Sequence, residues 1–109
     1  MAGFYIYETE TLSIRLNKDN VLQDAKHIIV SIFQKSTETQ INKNEDELGL
    51  DIENNIINIS LSQEETAKFK IGEADIQVNI YYENTERDVS SKGKIEIRDN
   101  LYRQVITDE

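Results

Sequence analysis

The most constraining feature of this 109-residue sequence is residues 57–82, where two alternating apolar runs flank a short polar corner. Within each run apolar and polar side chains alternate with a period of two, so one face of an extended strand enters a core. Ser62 and Glu65 have the spacing of a helical capping box, and Gly72 can adopt the positive φ needed to leave the corner. This unit is therefore predicted to be strand, corner, strand. Its predicted inward-facing residues are Ile57, Ile59, Leu61, Ala74, Ile76, Val78 and Ile80.

Short alternating runs elsewhere predict further strands, at 11–16, 37–44, 48–52 and 88–98, with a last strand or turn at 101–106. Gly93 is a candidate bulge, and polar loops are expected at 42–47 and 83–87. About seven short strands at intervals near ten residues indicate an all-β fold, an antiparallel immunoglobulin-like β-sandwich. The predicted organisation is an N-terminal arm or first edge strand at 1–9, one sandwich domain at 10–106, and a frayed tail at 107–109.

Residues 20–33 are compatible with two structures. Apolar residues from Val21 to Phe33 recur with the spacing of an amphipathic helix, which would give an α+β fold with a helix at about 20–33. The run from Ile28 to Phe33 is also rich in β-branched and aromatic residues, which fit a pleated sheet better than a helix. We favour a loop to about Ala25 and then a strand at 26–35.

The charge balance limits the classes of partner. Twelve basic residues against 21 acidic ones leave a net charge of −9, which disfavours nucleic acid, because phosphate contacts dominate that binding. No apolar run approaches the ~20 residues of a membrane-spanning helix, and the N-terminal residues lack the basic-then-apolar layout expected of a signal peptide. We therefore expect no nucleic-acid partner, no membrane insertion, and a protein that is cytoplasmic when synthesised.

Motifs for catalysis or metal binding are not found in the sequence. There is no cysteine, and the single histidine, His27, is expected to lie half in solvent at a strand end. Asn42, Asn44 and Asp46 alternate like the start of a calcium loop, but Glu47 stands where the glycine is required. A carboxylate pair drawn from Glu64, Glu65 and Glu83 would be needed for a hydrolase, and the spacing does not require one. We expect no cofactor, no metal and no enzymatic activity.

Four tyrosines are the candidate interaction residues, because tyrosine offers rigid, amphipathic contact area. Tyr5 and Tyr7 belong to the N-terminal aromatic patch and would share one face of a strand. Tyr81 and Tyr82 are adjacent, so a strand would direct them to opposite faces. The N-terminal patch is expected to be the first strand; alternatively it is an arm that pairs with a neighbouring subunit.

The order of these elements resembles small proteins encoded near the tail and baseplate regions of phages and prophages of Gram-positive bacteria. The matching stretches cover nearly the whole chain, and the sharpest is Leu61-Ser-Gln-Glu-Glu-Thr66 followed by Phe69. Such proteins tend to have threonine where Ser62 stands. The other matching stretches are TLSI at 11–14, IIVSIFQ at 28–34, Gly72 with IQV at 76–78, Ser90-Ser91, and 95–98.

The resemblance implies a β-sandwich with a structural or assembly role in a virion, and it brings no catalytic residues. The first expectation for function is therefore a non-enzymatic structural or interaction module of a phage or prophage tail region. Its partners would be other virion or tail proteins, or further copies of itself, and it could be located in the virion. The alternative is a carbohydrate- or cell-surface-binding β-sandwich module.

Overall fold

Alternating side chains along every long strand allow two sheets to face each other across one apolar core. The computed structural model describes residues 3–16, 22–23, 25–82 and 88–99. The described strands are β1 Gly3–Tyr5, β2 Glu10–Arg15, β3 Ala25–Gln34, β4 Thr39–Asn44, β5 Gly49–Asp51, β6 Ile56–Leu61, β7 Gly72–Tyr82 and β8 Asp88–Arg98. A 3-10 turn occupies Lys35–Thr37, and the short helix α1 occupies Gln63–Thr66.

The strands form a five-stranded sheet in the order β1-β8-β7-β3-β4 and a three-stranded sheet in the order β2-β6-β5. The predicted all-β sandwich is confirmed. Eight strands are described, and the N-terminal segment forms the first of them, β1. This strand runs parallel to β8, and every other pair is antiparallel. Within the described part of the chain, no helix is long and apolar enough to span a membrane.

Strand β3 lies near the middle of the larger sheet, paired with β7 on one side and β4 on the other. The alternative helix at about 20–33 is therefore wrong over the described residues from Ala25 onward. Ile28, Val30 and Ile32 are buried on the inner face, while the outward-facing positions are half-buried. The stiff β-branched side chains of this segment pack well on a pleated surface, and this outweighs its helical periodicity.

The unit 57–82 joins the two sheets. Strand β6 lies in the smaller sheet and β7 in the larger one, so the corner between them crosses the edge of the sandwich. The capping box is formed as predicted: Ser62 Oγ accepts from the Glu65 amide at 3.1 Å, and Glu65 Oε1 accepts from the Ser62 amide at 2.9 Å. Gly72 has a φ of 135°, which frees the chain to enter β7.

Five predictions about local structure need correction or lie outside the described residues. Gly93 is not a bulge, because the β7–β8 register is unbroken along both strands. The register irregularity instead falls in β3, between Ala25 and His27. The polar loop predicted at 42–47 begins later, since β4 continues to Asn44. The predicted loop at 83–87, the last strand at 101–106 and the tail at 107–109 lie outside the described residues.

The core is built from the inner faces of both sheets. At the corner end of the sandwich, the rings of Phe4 and Phe69 pack edge to face, with centroids 5.5 Å apart and planes at 70°. Leu12 of β2 is buried, and Ile14 and Leu16 pack against the core from its margin. The remaining buried apolar residues are Ile6, Leu22, Ile28, Val30, Ile32, Ile41, Ile57, Ile59, Leu61, Ala74, Val78, Ile80, Ile95 and Ile97.

Candidate interaction surfaces

The four candidate tyrosines do not form one surface. Tyr5 is paired with Arg98 at one end of β8, and Tyr81 is paired with Asp88 at the other. At the rise of an extended strand, these two positions are about 30 Å apart. The tyrosines therefore belong to opposite ends of the sandwich.

Only Tyr5 and Tyr81 are exposed. The Tyr5 side chain is 43% exposed, and the guanidinium carbon of Arg98 lies 5.6 Å from its ring centroid. Tyr7 does not share its face, because β1 ends at Tyr5 and Tyr7 has a left-handed φ of 64°. Tyr7 and Tyr82 are half-buried and pack against the core. The four candidate tyrosines therefore contribute two separate exposed rings.

A groove of about 560 Å³ opens at the corner end of the sandwich, next to Tyr7. One wall is the turn after β1, with Ile6 and Tyr7, and the other is the segment at 67–71 that follows α1. We call this the corner groove. Its rim carries the exposed cations Lys68 and Lys70 together with Ile71, which is 56% exposed. Among the described residues that line the groove none is acidic, in contrast to the acidic chain as a whole.

Gln34 holds the second wall of the corner groove in place. Its side chain is buried at the end of β3, where its Nε2 donates to the Lys70 carbonyl at 2.7 Å. Its Oε1 accepts from the Lys70 amide at 2.8 Å and from the Thr37 hydroxyl at 3.0 Å. One side-chain amide thus satisfies both backbone groups of Lys70, and the position of this wall is tied to the larger sheet.

Thr66 connects the two walls. It is buried, and its hydroxyl contacts two carbonyl oxygens, that of Glu8 at 2.9 Å and that of Gln63 at 3.1 Å. The Glu8 carbonyl directly follows the turn that contains Tyr7. Neither Gln34 nor Thr66 was predicted from the sequence to hold this site. Each is a polar residue at the end of an otherwise apolar or capped element, and this position could have identified both.

A partly buried ion pair links β4 to the same corner. Lys43 Nζ lies 2.8 Å from Glu65 Oε2, and these side chains are 16% and 23% exposed. Partial burial by itself raises the pKa of Glu65, but the hydrogen bonds from Lys43 and the Ser62 amide outweigh it and hold the pKa below its ordinary value. Glu65 therefore stabilises the corner as a carboxylate. Glu83, which might have completed a carboxylate pair, lies outside the described residues.

At the opposite end of the sandwich, His27 and Glu45 make an exposed contact. His27 Nδ1 lies 2.8 Å from Glu45 Oε1, and the His27 side chain is 68% exposed, in agreement with the predicted strand-end position. Glu45 also accepts from the Ile28 amide at 3.2 Å. The pKa of Glu45 is lowered by its own backbone amide first, and then by His27 and Ile28. The contact connects the irregular start of β3 to the turn between β4 and β5.

The alternating Asn42, Asn44 and Asp46 side chains do not form a calcium loop. Asn42 and Asn44 belong to β4, and Asn44 Oδ1 accepts from the Asp46 amide at 3.0 Å. Glu47 Oε1 in turn accepts from the Asn44 amide at 3.2 Å. The oxygens thus close a tight turn. Within the described ranges, no cluster of three histidine, aspartate or glutamate side chains could hold a metal ion.

The outer face of the larger sheet has a shallow polar cavity of about 320 Å³. Phe33 lies in its floor, opposite Asp75 of β7 and Gln40 of β4. Around this ring are hydroxyl, amide and ammonium groups from four neighbouring strands. We call this surface the outer-face cavity; it is lined by Ser31, Phe33, Gln40, Asp75, Gln77, Asn79 and Lys92.

No family model matches the chain, and no curated protein matches its sequence significantly. Among solved structures, the chain is similar to the X-ray structure of the endo-beta-1,4-mannanase from Thermotoga petrophila, with a TM-score of 0.55 and 13% sequence identity. The match covers 92% of this chain and 18% of the enzyme chain. The chain therefore spans less than a fifth of that enzyme. At this identity the likeness shows a shared fold alone.

Proposed function

We propose that this chain is a non-enzymatic interaction module whose corner groove binds a segment of another protein. The observation that carries the proposal is the charge of the groove. Lys68 and Lys70 line it, and none of the described lining residues is acidic, although the chain carries a net charge of −9. The fitting partner is a short acidic segment with one apolar side chain. Its carboxylates would face the two ammonium groups, and its apolar side chain would cover Ile71.

The walls of the corner groove are positioned before any partner arrives. Gln34 fixes the backbone of Lys70, and Thr66 bonds the Glu8 carbonyl beside the opposite wall. A groove that needs little reordering loses less conformational entropy on binding, which favours affinity. This preorganisation supports a recognition role for the groove.

The resemblance to proteins of phage and prophage tail regions suggests the class of partner. We propose that the partners are other virion or tail proteins, and that the chain contributes to virion assembly. The proposal has a genomic consequence, since the neighbouring genes should encode tape-measure, portal or baseplate proteins. Neighbours of unrelated metabolic function would contradict it.

The test compares two exposed isoleucines with opposite expected roles. Ile71→Glu places a carboxylate inside the corner groove, whereas Ile52→Glu places one on the turn after β5, where Ile52 is 51% exposed. Binding to purified proteins from the neighbouring genes is measured by biolayer interferometry. We expect Ile71→Glu to weaken binding by at least about tenfold, because it removes roughly one buried apolar contact and adds charge repulsion with the acidic partner.

Ile52→Glu should leave this binding unchanged, and both variants should keep the circular dichroism spectrum of the parent. Two results would overturn the groove as the contact site. One is equal weakening by both substitutions, and the other is no binding by the parent chain at concentrations near 100 µM.

A second candidate function, carbohydrate binding, is favoured by the outer-face cavity. Its aromatic ring is surrounded by side chains that can both donate and accept hydrogen bonds, and such a surface suits the polyhydroxylated, flat face of a sugar. Phe33 would stack on the sugar, while Gln40 and Asp75 would bind its hydroxyl groups. The mannanase-like fold is compatible with this function.

A glycan array followed by titration calorimetry tests the second function. We expect Phe33→Ala to abolish any binding that the array detects, and Tyr81→Ala, at the far end of the same sheet face, to preserve it. An array without hits would remove the carbohydrate hypothesis. Loss of binding in Tyr81→Ala alone would show that the outer-face cavity is not the site.

A further inference from the structure

One edge of the larger sheet is only partly covered. Strand β8 is paired with β7 along its whole length, but β1 pairs on the other side with Glu96, Ile97 and Arg98 alone. Among the described residues, no strand pairs with this side of residues 88–95. An open strand edge exposes a row of backbone donors and acceptors that can add another strand.

The backbone geometry shows which residues direct their polar groups to this open edge. The Arg98 carbonyl accepts from the Ile6 amide at 3.1 Å, and the Glu96 carbonyl lies against Gly3. Because the peptide groups of a strand alternate in direction, the N–H and C=O groups of Lys92 and Lys94 point to the same side. The N–H and C=O groups of residues 91, 93 and 95 point to β7.

The open edge is accessible in the described structure. Lys92, Gly93 and Lys94 are all exposed, and a side chain added at Gly93 would meet only Ile76, at 3.8 Å. Lys94 Nζ is held toward β7 by Glu73 at 3.5 Å and Asp75 at 3.8 Å. Its side chain therefore leans away from the edge and leaves the backbone groups open to a partner strand.

We propose that this edge pairs with the same edge of a second copy of the chain. Antiparallel pairing around a two-fold axis at Ser91 would align residues 88–94 of both copies and join the two larger sheets into one. The interface would be isologous, which is the commonest symmetry of protein dimers. This goes beyond the corner groove, because it uses a different surface and a different occupant.

Charge and space both disfavour the neighbouring register in which the two-fold axis moves toward β1. Only alternate residues direct their backbone outward, so the neighbouring allowed registers move the two-fold axis by one residue. The axis at Ser91 places Asp88 opposite Lys94 and Ser90 opposite Lys92, so no two lysines face each other. Moving the axis to Lys92 would set the two Lys92 residues opposite each other, an unfavourable arrangement. It would also bring the partner strand against β1, which already occupies Glu96.

The first experiment removes one outward-pointing donor. Lys92→Pro deletes an N–H that points to the open edge and leaves the bonds to β7 intact, a position where a strand tolerates proline. Lys92→Thr is the matched control, because it removes the same charge and keeps the N–H. Sedimentation velocity between about 5 and 500 µM should show dimerisation of the parent and of Lys92→Thr. For Lys92→Pro we expect a dissociation constant at least about tenfold higher, because the substitution removes two symmetry-related hydrogen bonds from the interface.

The second experiment does not depend on how the proline variant folds. The chain has no cysteine, so a single introduced cysteine can form only an intermolecular disulfide. Ser91→Cys would lie on the two-fold axis in a non-hydrogen-bonded pair, where the Cα atoms are about 4.5 Å apart and a disulfide fits. Two copies of Lys92→Cys would be offset along the seam, with Cα atoms about 8 Å apart, which is too far.

Under oxidised glutathione we expect Ser91→Cys to form a covalent dimer at least about tenfold faster than Lys92→Cys, and this preference should disappear in 8 M urea. Equal rates for the two variants in buffer, or a parent chain that stays monomeric at about 500 µM, would overturn the proposal. Adding Ile71→Glu should leave the dimer intact, so failure of the corner groove and failure of this edge are separate results.

Discussion

The two ends of the sandwich contrast in how their polar groups are used. At the corner end, the buried side chains of Gln34 and Thr66 bond directly to backbone groups of neighbouring segments. At the far end, His27 and Glu45 make a solvent-exposed contact. The exposed Tyr81 of β7 is the register partner of His27 in β3. Buried hydrogen bonds hold a loop in one conformation, because breaking them leaves unsatisfied groups, whereas exposed bonds exchange readily with water. We therefore expect the corner end to be much the more rigid of the two.

The largest effect is expected from Gln34→Leu. Leucine fills the space but leaves the amide and the carbonyl of Lys70 without their partners, at a cost of about 3 kcal/mol in the free energy of unfolding. Urea denaturation measures the loss. The control Gln40→Leu removes an exposed amide from β4 and should change the stability by less than about 0.5 kcal/mol. Equal losses in the two variants would show that Gln34 does not fix the corner.

Thr66→Val should have the next largest effect. The substitution keeps the shape of the side chain and removes the hydroxyl bonded to the Glu8 carbonyl, so we expect a loss of about 1–2 kcal/mol. Amide hydrogen exchange should also accelerate along residues 67–71, because the walls of the corner groove lose a connection. Thr11→Val, on an exposed position of β2, is the control. Unchanged exchange in Thr66→Val would contradict a rigid corner.

The Lys43–Glu65 pair predicts a pH dependence of stability. Because the pKa of Glu65 is lowered in the folded chain, its contribution is complete above the ordinary value of 4.5 and is lost as the pH falls through the lowered pKa. Glu65→Gln keeps a capping-box residue and removes the charge, so it should cost about 1 kcal/mol at pH 7, and this cost should shrink as the pH falls below 4.5. Glu64→Gln, at an exposed neighbouring position, removes the same charge outside the pair and is the matched control. Parallel profiles for all three chains would remove this role of the pair.

The smallest effect is expected at the far end, from His27→Gln. The His27 side chain is mostly exposed, so its contact with Glu45 is exchanged for water at little cost. We expect the urea midpoint at pH 7 to be indistinguishable from that of the parent chain. A clear drop in the midpoint would mean that the two ends of the sandwich are more alike than their burial indicates.

Much of the fold could be predicted from local pattern. The alternation of Ile57, Ile59 and Leu61 identifies an inward face because a strand has a period of two, and Ser62 with Glu65 identifies the cap from spacing alone. The secondary structure of residues 28–33 could not be decided from local pattern, since their periodicity suits a helix and their composition suits a strand. Pairing of β3 with two neighbours decides between them.

The candidate surfaces were much less predictable. Tyrosines were chosen for their chemistry, but whether Tyr5 and Tyr7 share a face depends on where β1 ends, which is decided by its pairing with β8. Gln34 and Lys70 are far apart in the sequence, and no local pattern connects them. Their hydrogen bonds exist because the corner between the two sheets returns the chain to the end of β3.

The sequence by itself determined that this protein is a β-sandwich, because the spacing of its apolar side chains allows burial only on one face of each strand. The tertiary structure alone decided which strands became neighbours. That decision placed two lysines in a groove of an acidic protein and, among the described residues, left one side of residues 88–95 without a partner strand. Both features depend on contacts between residues distant in the chain, which local periodicity does not encode.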